Sequence, residues 1–381
     1  MTITPRYRVS LPIFDKNCRA VMDPFSEKWG KNIVCAYSVK TNRDEKLIRY
    51  AYDVLGWKVE VVSEDEYNYV CGLGIDKHSI ILNGPNKKDA LFDAVRNRAI
   101  VNLDSIDEVE LICNYVSNVK YDEIGRIKNA LIGIRVNYDI KDDCKGELSA
   151  DNGYSRFGIC YENGDFKRAI EKLTSAGISL SGIHVHYSTK TRSLNVFDVI
   201  SSKIAESISK YCLDLQYVDI GGGFFGGQQL DGKPTMDEYS RIISTNLKKT
   251  IDENNTTLIL EPGASVIATT TQYICRVIST KDVGELRIVT VDGTLLHINP
   301  FMREREPKYS VVRNGAGVNR NKYSEQILCG STCMENDRFF SLYNDEELIV
   351  GDEVVFDYSG AYTMAFNARF IIDIPRVEYI K

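Results

Sequence analysis

Eight short runs of aliphatic and β-branched residues punctuate the chain up to residue 263: 33–39 (IVCAYSV), 58–63 (KVEVVS), 79–84 (SIILNG), 99–104 (AIVNLD), 131–137 (LIGIRVN), 182–188 (GIHVHYS), 217–222 (YVDIGG) and 258–263 (LILEPG). Most are apolar throughout instead of alternating, as parallel strands buried on both faces require. Between them lie stretches with helical spacing, at 43–55, 64–71, 87–98, 105–116, 165–176, 196–213 and 236–253. This alternation predicts parallel strands joined by right-handed crossovers. Eight such strands predict an α/β fold of the (β/α)₈ TIM-barrel type.

After Pro262 the pattern changes. Runs with alternating residues, such as 269–282, 286–293, 309–314, 325–332, 353–356 and 369–380, follow one another without long helical stretches. They predict a second, mostly β domain. The first 25 residues contain the strand-like RYRVSLPIF (6–14) and are expected to pair with it. The predicted boundaries are 26–265 for the barrel, and 266–381 with the N-terminal strand of 1–25 for the β-rich domain. No internal repeat or low-complexity tract interrupts them.

Composition narrows the possibilities. The 381 residues exceed one small domain and suit a barrel of about 250 residues with a second unit of about 100 to 150. No uninterrupted apolar run of about 18 residues exists to cross a bilayer, and the N-terminus lacks the features of a secretory signal. A cytoplasmic location without membrane association is therefore expected. The ten cysteines are scattered, several within apolar runs, which reads as reduced thiols. A net charge of −6 without an extended basic patch makes nucleic acid a poor partner.

Barrel chemistry sits at the C-terminal ends of the strands. Lys40 ends the first run and Glu261 the eighth, which become neighbours when the barrel closes. A lysine at a strand end is by itself usually a solvated surface residue. Lysine also forms Schiff bases with carbonyl cofactors, whose pyridinium nitrogen needs a carboxylate partner. Gly221, Gly222 and Gly223 end the seventh run, where their backbone amides could approach a phosphate; the plain alternative is a flexible turn. His184 and His186 alternate on the sixth run. Core packing, metal ligation and stacking on a cofactor compete there, and with only four histidines in the chain the cofactor-facing reading is favoured and no metal is expected.

Taken in order, these motifs resemble those of the pyridoxal-phosphate decarboxylases with an alanine-racemase-type barrel, which include ornithine, diaminopimelate and carboxynorspermidine decarboxylases. The resemblance runs through Ala36-Tyr37-Ser38-Val39-Lys40, Val62-Ser63 with Glu66, Asn83 to Lys87, Arg135-Val136-Asn137, Ser155-Arg156-Phe157-Gly158 and Gly182 to His186. It continues through Asp219 to Phe224, Glu261-Pro262-Gly263, Cys333 within GSTCMEND, and Gly360-Ala361-Tyr362. It implies that Lys40 holds pyridoxal 5'-phosphate covalently, that His186 stacks on its ring and that Glu261 keeps the ring nitrogen protonated. Gly221 to Gly223, Gly263 and Tyr362 would bind the phosphate. Cys333, from the partner subunit of a homodimer with shared active sites, would protonate the substrate carbon after carbon dioxide leaves. Arg135 and Asn137, with Met334 and Glu335 beside Cys333, are the expected contacts to a small substrate bearing an amino-acid group.

Several positions depart from that pattern. Ala264 follows Glu261-Pro262-Gly263 where ornithine and diaminopimelate decarboxylases usually carry an arginine near the phosphate, leaving backbone amides or another cation such as Arg156 or Arg303. Met334 stands where decarboxylases of basic amino acids usually place an acid, and a buried ammonium left unpaired costs several kcal/mol. Asn299 replaces the arginine that usually meets a distal carboxylate, and Thr189 replaces a serine. The expected reaction is therefore removal of the α-carboxylate from an amino acid, or an amino-acid-like group, with an unusual or bulky distal end. Siderophore, polyamine or peptide-antibiotic biosynthesis offers such substrates. The alternatives are an amino-acid racemase on the same fold and a catalytically silent regulatory homologue.

Overall fold

The computed structural model describes residues 3–118, 130–150, 153–227, 231–304, 306–315, 317–367 and 369–381. The chain forms two compact units, Cys18–Ser265 and a second one made of Met1–Asn17 with Val266–Lys381. The first strand, β1 (Arg6–Ser10), ends sooner than the run 6–14 suggests. Ser10 accepts a hydrogen bond from the Ile13 amide through its side chain (3.3 Å), and Pro12 sits in the first turn of helix α1 (Leu11–Trp29). A capping serine followed by a proline that needs no amide partner is a helix start.

The unit Cys18–Ser265 holds β2 (Ile33–Ser38), β3 (Lys58–Ser63), β4 (Ile80–Asn86), β5 (Ile100–Leu103), β6 (Leu131–Asn137), the short β7 (Ile159–Cys160), β8 (Gly182–His184), β9 (Tyr217–Asp219) and β10 (Thr257–Leu260). Strands β2 to β6 and β8 to β10 pair in parallel in chain order, and β10 pairs back with β2, so eight strands close a barrel while β7 flanks β6. Closure leaves no open sheet edge among those eight.

Inside the barrel, Tyr217 packs with Ala36, Ile81, Ile100 and Ile259. Glycines at 133 and 182 make room for it, since a Cβ at either position would run into the Tyr217 ring or hydroxyl. The phenol hydroxyl donates to Asn102 Oδ1 (2.7 Å), and Asn102 Nδ2 donates to Asn83 Oδ1 (2.9 Å). The apolar interior thus hands over to a polar ladder rising toward the C-terminal end of the strands.

The other unit joins β1 to β11 (Thr271–Val283), β12 (Leu286–Val291), β13 (Tyr309–Val312), β14 (Lys322–Cys329), β15 (Arg338–Glu346), β16 (Glu353–Phe356) and β17 (Arg376–Ile380), in the order β13-β16-β11-β12-β14-β15. Strand β1 pairs antiparallel with β11 and parallel with β17. Its core gathers Tyr7, Tyr273, Val289, Leu328 and Phe356. The run 369–380 is a strand only from Arg376: Ile371 has φ +68° and Pro375 precedes the pairing residues. Among the described residues, no helix is long and apolar enough to cross a membrane.

Candidate active site

Strand β2 delivers Lys40 two residues past its end, on a 3₁₀ turn spanning Val39–Thr41. Its ammonium meets Glu60 of β3, at 2.6 Å to Oε1 and 2.7 Å to Oε2. Glu60 is fully buried and is held from two further sides, by the Ser38 hydroxyl (2.8 Å) and by Asn83 Nδ2 (3.2 Å). A buried carboxylate with three donors is satisfied, and it fixes where the lysine amine stands. The sequence reading missed Glu60. The signal was there, an acid in the middle of a strand otherwise built for burial on both faces.

Glu261, one residue past β10, receives Asn83 Nδ2 at 2.5 Å and stands 3.6 Å from His184 Nε2. Burial works to raise its carboxyl, but His184 beside it and then Lys40 outweigh burial and hold it below the usual carboxylate range. Asp219 ends β9 beside it. Burial, reinforced by the charge of Glu261, pushes the Asp219 carboxyl well above its ordinary value. Donor atoms of His184, Asp219 and Glu261 all lie within 4.8 Å of one another, and all three residues are buried.

The glycine turn follows. Gly221 and Gly223 have φ +66° and +99°, and a Cβ at Gly222 would fall on the Glu261 carbonyl, so glycine is required at each for a different reason. Two of the three amides are already engaged: Gly221 N–H donates to Asp219 Oδ1 (2.9 Å) and Gly222 N–H to His186 Nδ1 (3.3 Å). The Gly223 amide has no partner among the described residues. Gly263 packs close to Thr41, with no space for a side chain. His186 lies beyond β8, since that strand ends at His184. Burial pushes the His186 imidazole down to about 3, with the charges of Lys40 and Arg135 adding to the effect, so the ring is neutral near pH 7.

Lys40 and His186 open into a cavity of about 630 Å³, lined also by Arg135, Tyr154, Arg156 and Phe157. Arg135 is fixed by Asp104 (3.4 Å) and by the His186 carbonyl (3.1 Å), and its guanidinium lies 4.6 Å from the Phe157 ring centroid. Arg156 covers the same ring at 4.0 Å. Asn137 does not line this cavity. Its amide donates to the Ser155 carbonyl (2.8 Å), which fastens the segment carrying Arg156 and Phe157 to β6.

The remaining predicted residues belong to the other unit. Cys333, Met334 and Glu335 form the turn after β14, with Cys333 exposed and Glu335 paired to Arg338 at 3.4 Å. Asp337 frames that turn: it accepts from the Thr332 hydroxyl (2.6 Å), the Thr294 hydroxyl (3.0 Å) and the Leu295 amide (2.8 Å). Tyr362 has φ +56°, is half-exposed, and leans against Phe366 at 6.5 Å between centroids.

The residues of the barrel unit fit pyridoxal phosphate. An amine stands in a cavity of sufficient size, a neutral imidazole lies beside it, a buried carboxylate is held ionised, and a turn too tight for side chains has one amide to spare. Comparisons with known proteins agree. The family model described as "Pyridoxal-dependent decarboxylase, pyridoxal binding domain" matches residues 16–268, more than half of the chain. A diaminopimelate decarboxylase of Archaeoglobus fulgidus is 27% identical over 97% of this chain and 85% of its own. Among solved structures, the diaminopimelate decarboxylase of M. jannaschii in co-complex with L-lysine aligns with a TM-score of 0.80 at 21% identity, covering 99% of this chain and 87% of that one. The lysine/ornithine decarboxylase of Vibrio vulnificus complexed with cadaverine aligns with a TM-score of 0.76 at 19% identity, covering 99% and 93%. The chain belongs to the pyridoxal-dependent decarboxylases and is an amino-acid decarboxylase that uses pyridoxal phosphate.

Proposed function

We propose that this decarboxylase removes the α-carboxylate of an amino acid, or of an amino-acid-like group, whose distal end is bulky or lacks a simple terminal charge. The observation that carries the reading is the cavity around Lys40, in which the fixed cations Lys40 and Arg135 accompany apolar and aromatic walls. Lys40 would hold the cofactor through its amine, Glu261 would serve its ring nitrogen and His186 its ring, and Gly223, Gly263 and Tyr362 would serve the phosphate. When bound, pyridoxal phosphate supplies the electron sink for the pair left behind by departing carbon dioxide. Tyr154 and Phe157 line the cavity around the reacting carbon, and Cys333 of a partner subunit would deliver the proton that completes the reaction in a homodimer.

Two residues argue against the simplest substrates. Glu335, the acid closest in sequence to Cys333, already faces Arg338, which leaves a distal ammonium without an evident partner there. Asn299 exchanges hydrogen bonds with the Arg303 backbone, through its amide (2.7 Å) and its carbonyl oxygen (3.1 Å), and carries no charge for a distal carboxylate. Lysine, ornithine and diaminopimelate therefore serve as controls in a wider screen.

The test begins with the visible spectrum of the protein mixed with pyridoxal phosphate, borohydride reduction and peptide mapping, followed by carbon dioxide release against a panel of amino acids. The expected result is a cofactor trapped on Lys40, lost in Lys40→Ala, and fastest release from a substrate with an extended distal group. Label on a different lysine would overturn the assignment of Lys40. Fastest release from lysine, ornithine or diaminopimelate would overturn the substrate reading.

A further inference from the structure

Two acids end adjacent strands of the barrel and face the same point. The register sets Asp219 of β9 beside Ile259 of β10, and the Glu261 amide donates to the Gly221 carbonyl (2.8 Å), so the chain segments carrying both carboxyls are locked side by side. Asp219 is fully buried and Glu261 nearly so. Like charges this close in a buried site are not both sustained.

Their surroundings differ. Glu261 receives the Asn83 amide and has His184, Lys40 and His186 around it. Among the described residues, Asp219 receives a single donor, the Gly221 amide on Oδ1, and its Oδ2 has no hydrogen-bond partner although it is buried. The other titratable groups that bear on Asp219 are Glu60, which adds negative charge, and the phenol of Tyr217 two residues before it on β9. Burial lowers the proton affinity of His184, against the opposing pull of Glu261. An ionised Asp219 would thus hold a carboxylate oxygen with no donor against a second carboxylate, whereas a proton on that oxygen would face an acceptor.

We propose that Asp219 is a neutral carboxylic acid in the working protein, accepting from Gly221 through Oδ1 and presenting its proton on Oδ2 to Glu261. It is a positioning residue. It ties the glycine turn to the ring-nitrogen partner and leaves Glu261 the only negative charge of the pair. The second role rests on the reading of Glu261 given above; the protonation state does not.

The test is infrared difference spectroscopy of the holoenzyme near pH 8, where surface carboxyls are ionised, with and without [¹³C]aspartate labelling. A protonated carboxyl stretch that moves with the aspartate label and disappears in Asp219→Asn is expected. Asparagine keeps one acceptor and places an N–H where the proton was, so Asp219→Asn should retain the urea midpoint and the bound-cofactor spectrum of the wild type. Asp219→Ala should lose both. Absence of a label-sensitive band overturns the proposal even if no variant folds, and so does an Asp219→Asn protein as unstable as Asp219→Ala. Glu261→Gln separates the two readings. A bound-cofactor spectrum unchanged in that variant would remove the ring-nitrogen role while leaving the aspartate band to be judged alone.

Discussion

Glu60 takes its meaning from its three donors. Valines flank it at 59 and 61, and its carboxylate collects Lys40, Ser38 and Asn83. Replacing it by glutamine keeps the shape and removes the charge. Lys40 retains some contact with water, its side chain being 29% exposed, so the cost falls short of that for a fully buried pair. Glu60→Gln is expected to lower the unfolding free energy of the cofactor-free protein by about 1–3 kcal/mol, measured in urea. An unchanged midpoint would mean that the pair contributes nothing to holding Lys40. This residue also marks a limit of reading from sequence. Lys40, His186, the three glycines and Glu261 announce themselves at strand ends, where barrel chemistry is sought. Glu60 sits mid-strand, and only closure of the ring shows that its side chain points inward.

At the scale of elements, all eight barrel strands were legible, because burial on both faces writes itself as unbroken apolar runs. Their lengths were less so. The run 182–188 contains a strand of three residues, since the chain turns after His184 to place His186 against Gly222. Strand β15 (RFFSLYNDE) escaped notice because two adjacent phenylalanines and a polar end break the alternation of a half-buried strand. Asp337, just before β15, carries the turn that presents Cys333. Asp337→Ala would leave the Thr294 and Thr332 hydroxyls and the Leu295 amide without their acceptor, and should cost about 2–3 kcal/mol. The alkylation rate at Cys333, followed by mass spectrometry of its peptide, should change with it. A variant that melts and alkylates like the wild type would show that the turn stands without this frame.

For the molecule as a whole, buried histidines set the response to acid. Burial pushes His186 down to about 3 and His297 down to about 4, and lowers His184 as well. Below about pH 6.5 the unfolded chain takes up protons that these folded-state rings refuse, so each site removes up to about 1.4 kcal/mol of stability per pH unit of acidification. Asp219 acts in the opposite sense, as its raised affinity binds a proton in the folded state that the unfolded chain releases above about pH 4. Glu66, which burial raises too, acts in the same sense as Asp219, and the three histidines outnumber these two carboxyls. Urea midpoints should therefore fall between pH 7.5 and pH 5.5, less steeply in His297→Gln, and a midpoint that rises on acidification would contradict this balance.

The β unit is assembled from both ends of the chain, with β1 seated between β11 and β17. In chain order β1 precedes all eight barrel strands, yet its parallel neighbour β17 (Arg376–Ile380) follows them all. All eight barrel strands can therefore emerge and close while β1 still waits with an unpaired edge. A segment made after the whole barrel thus completes the pairing of one made before it.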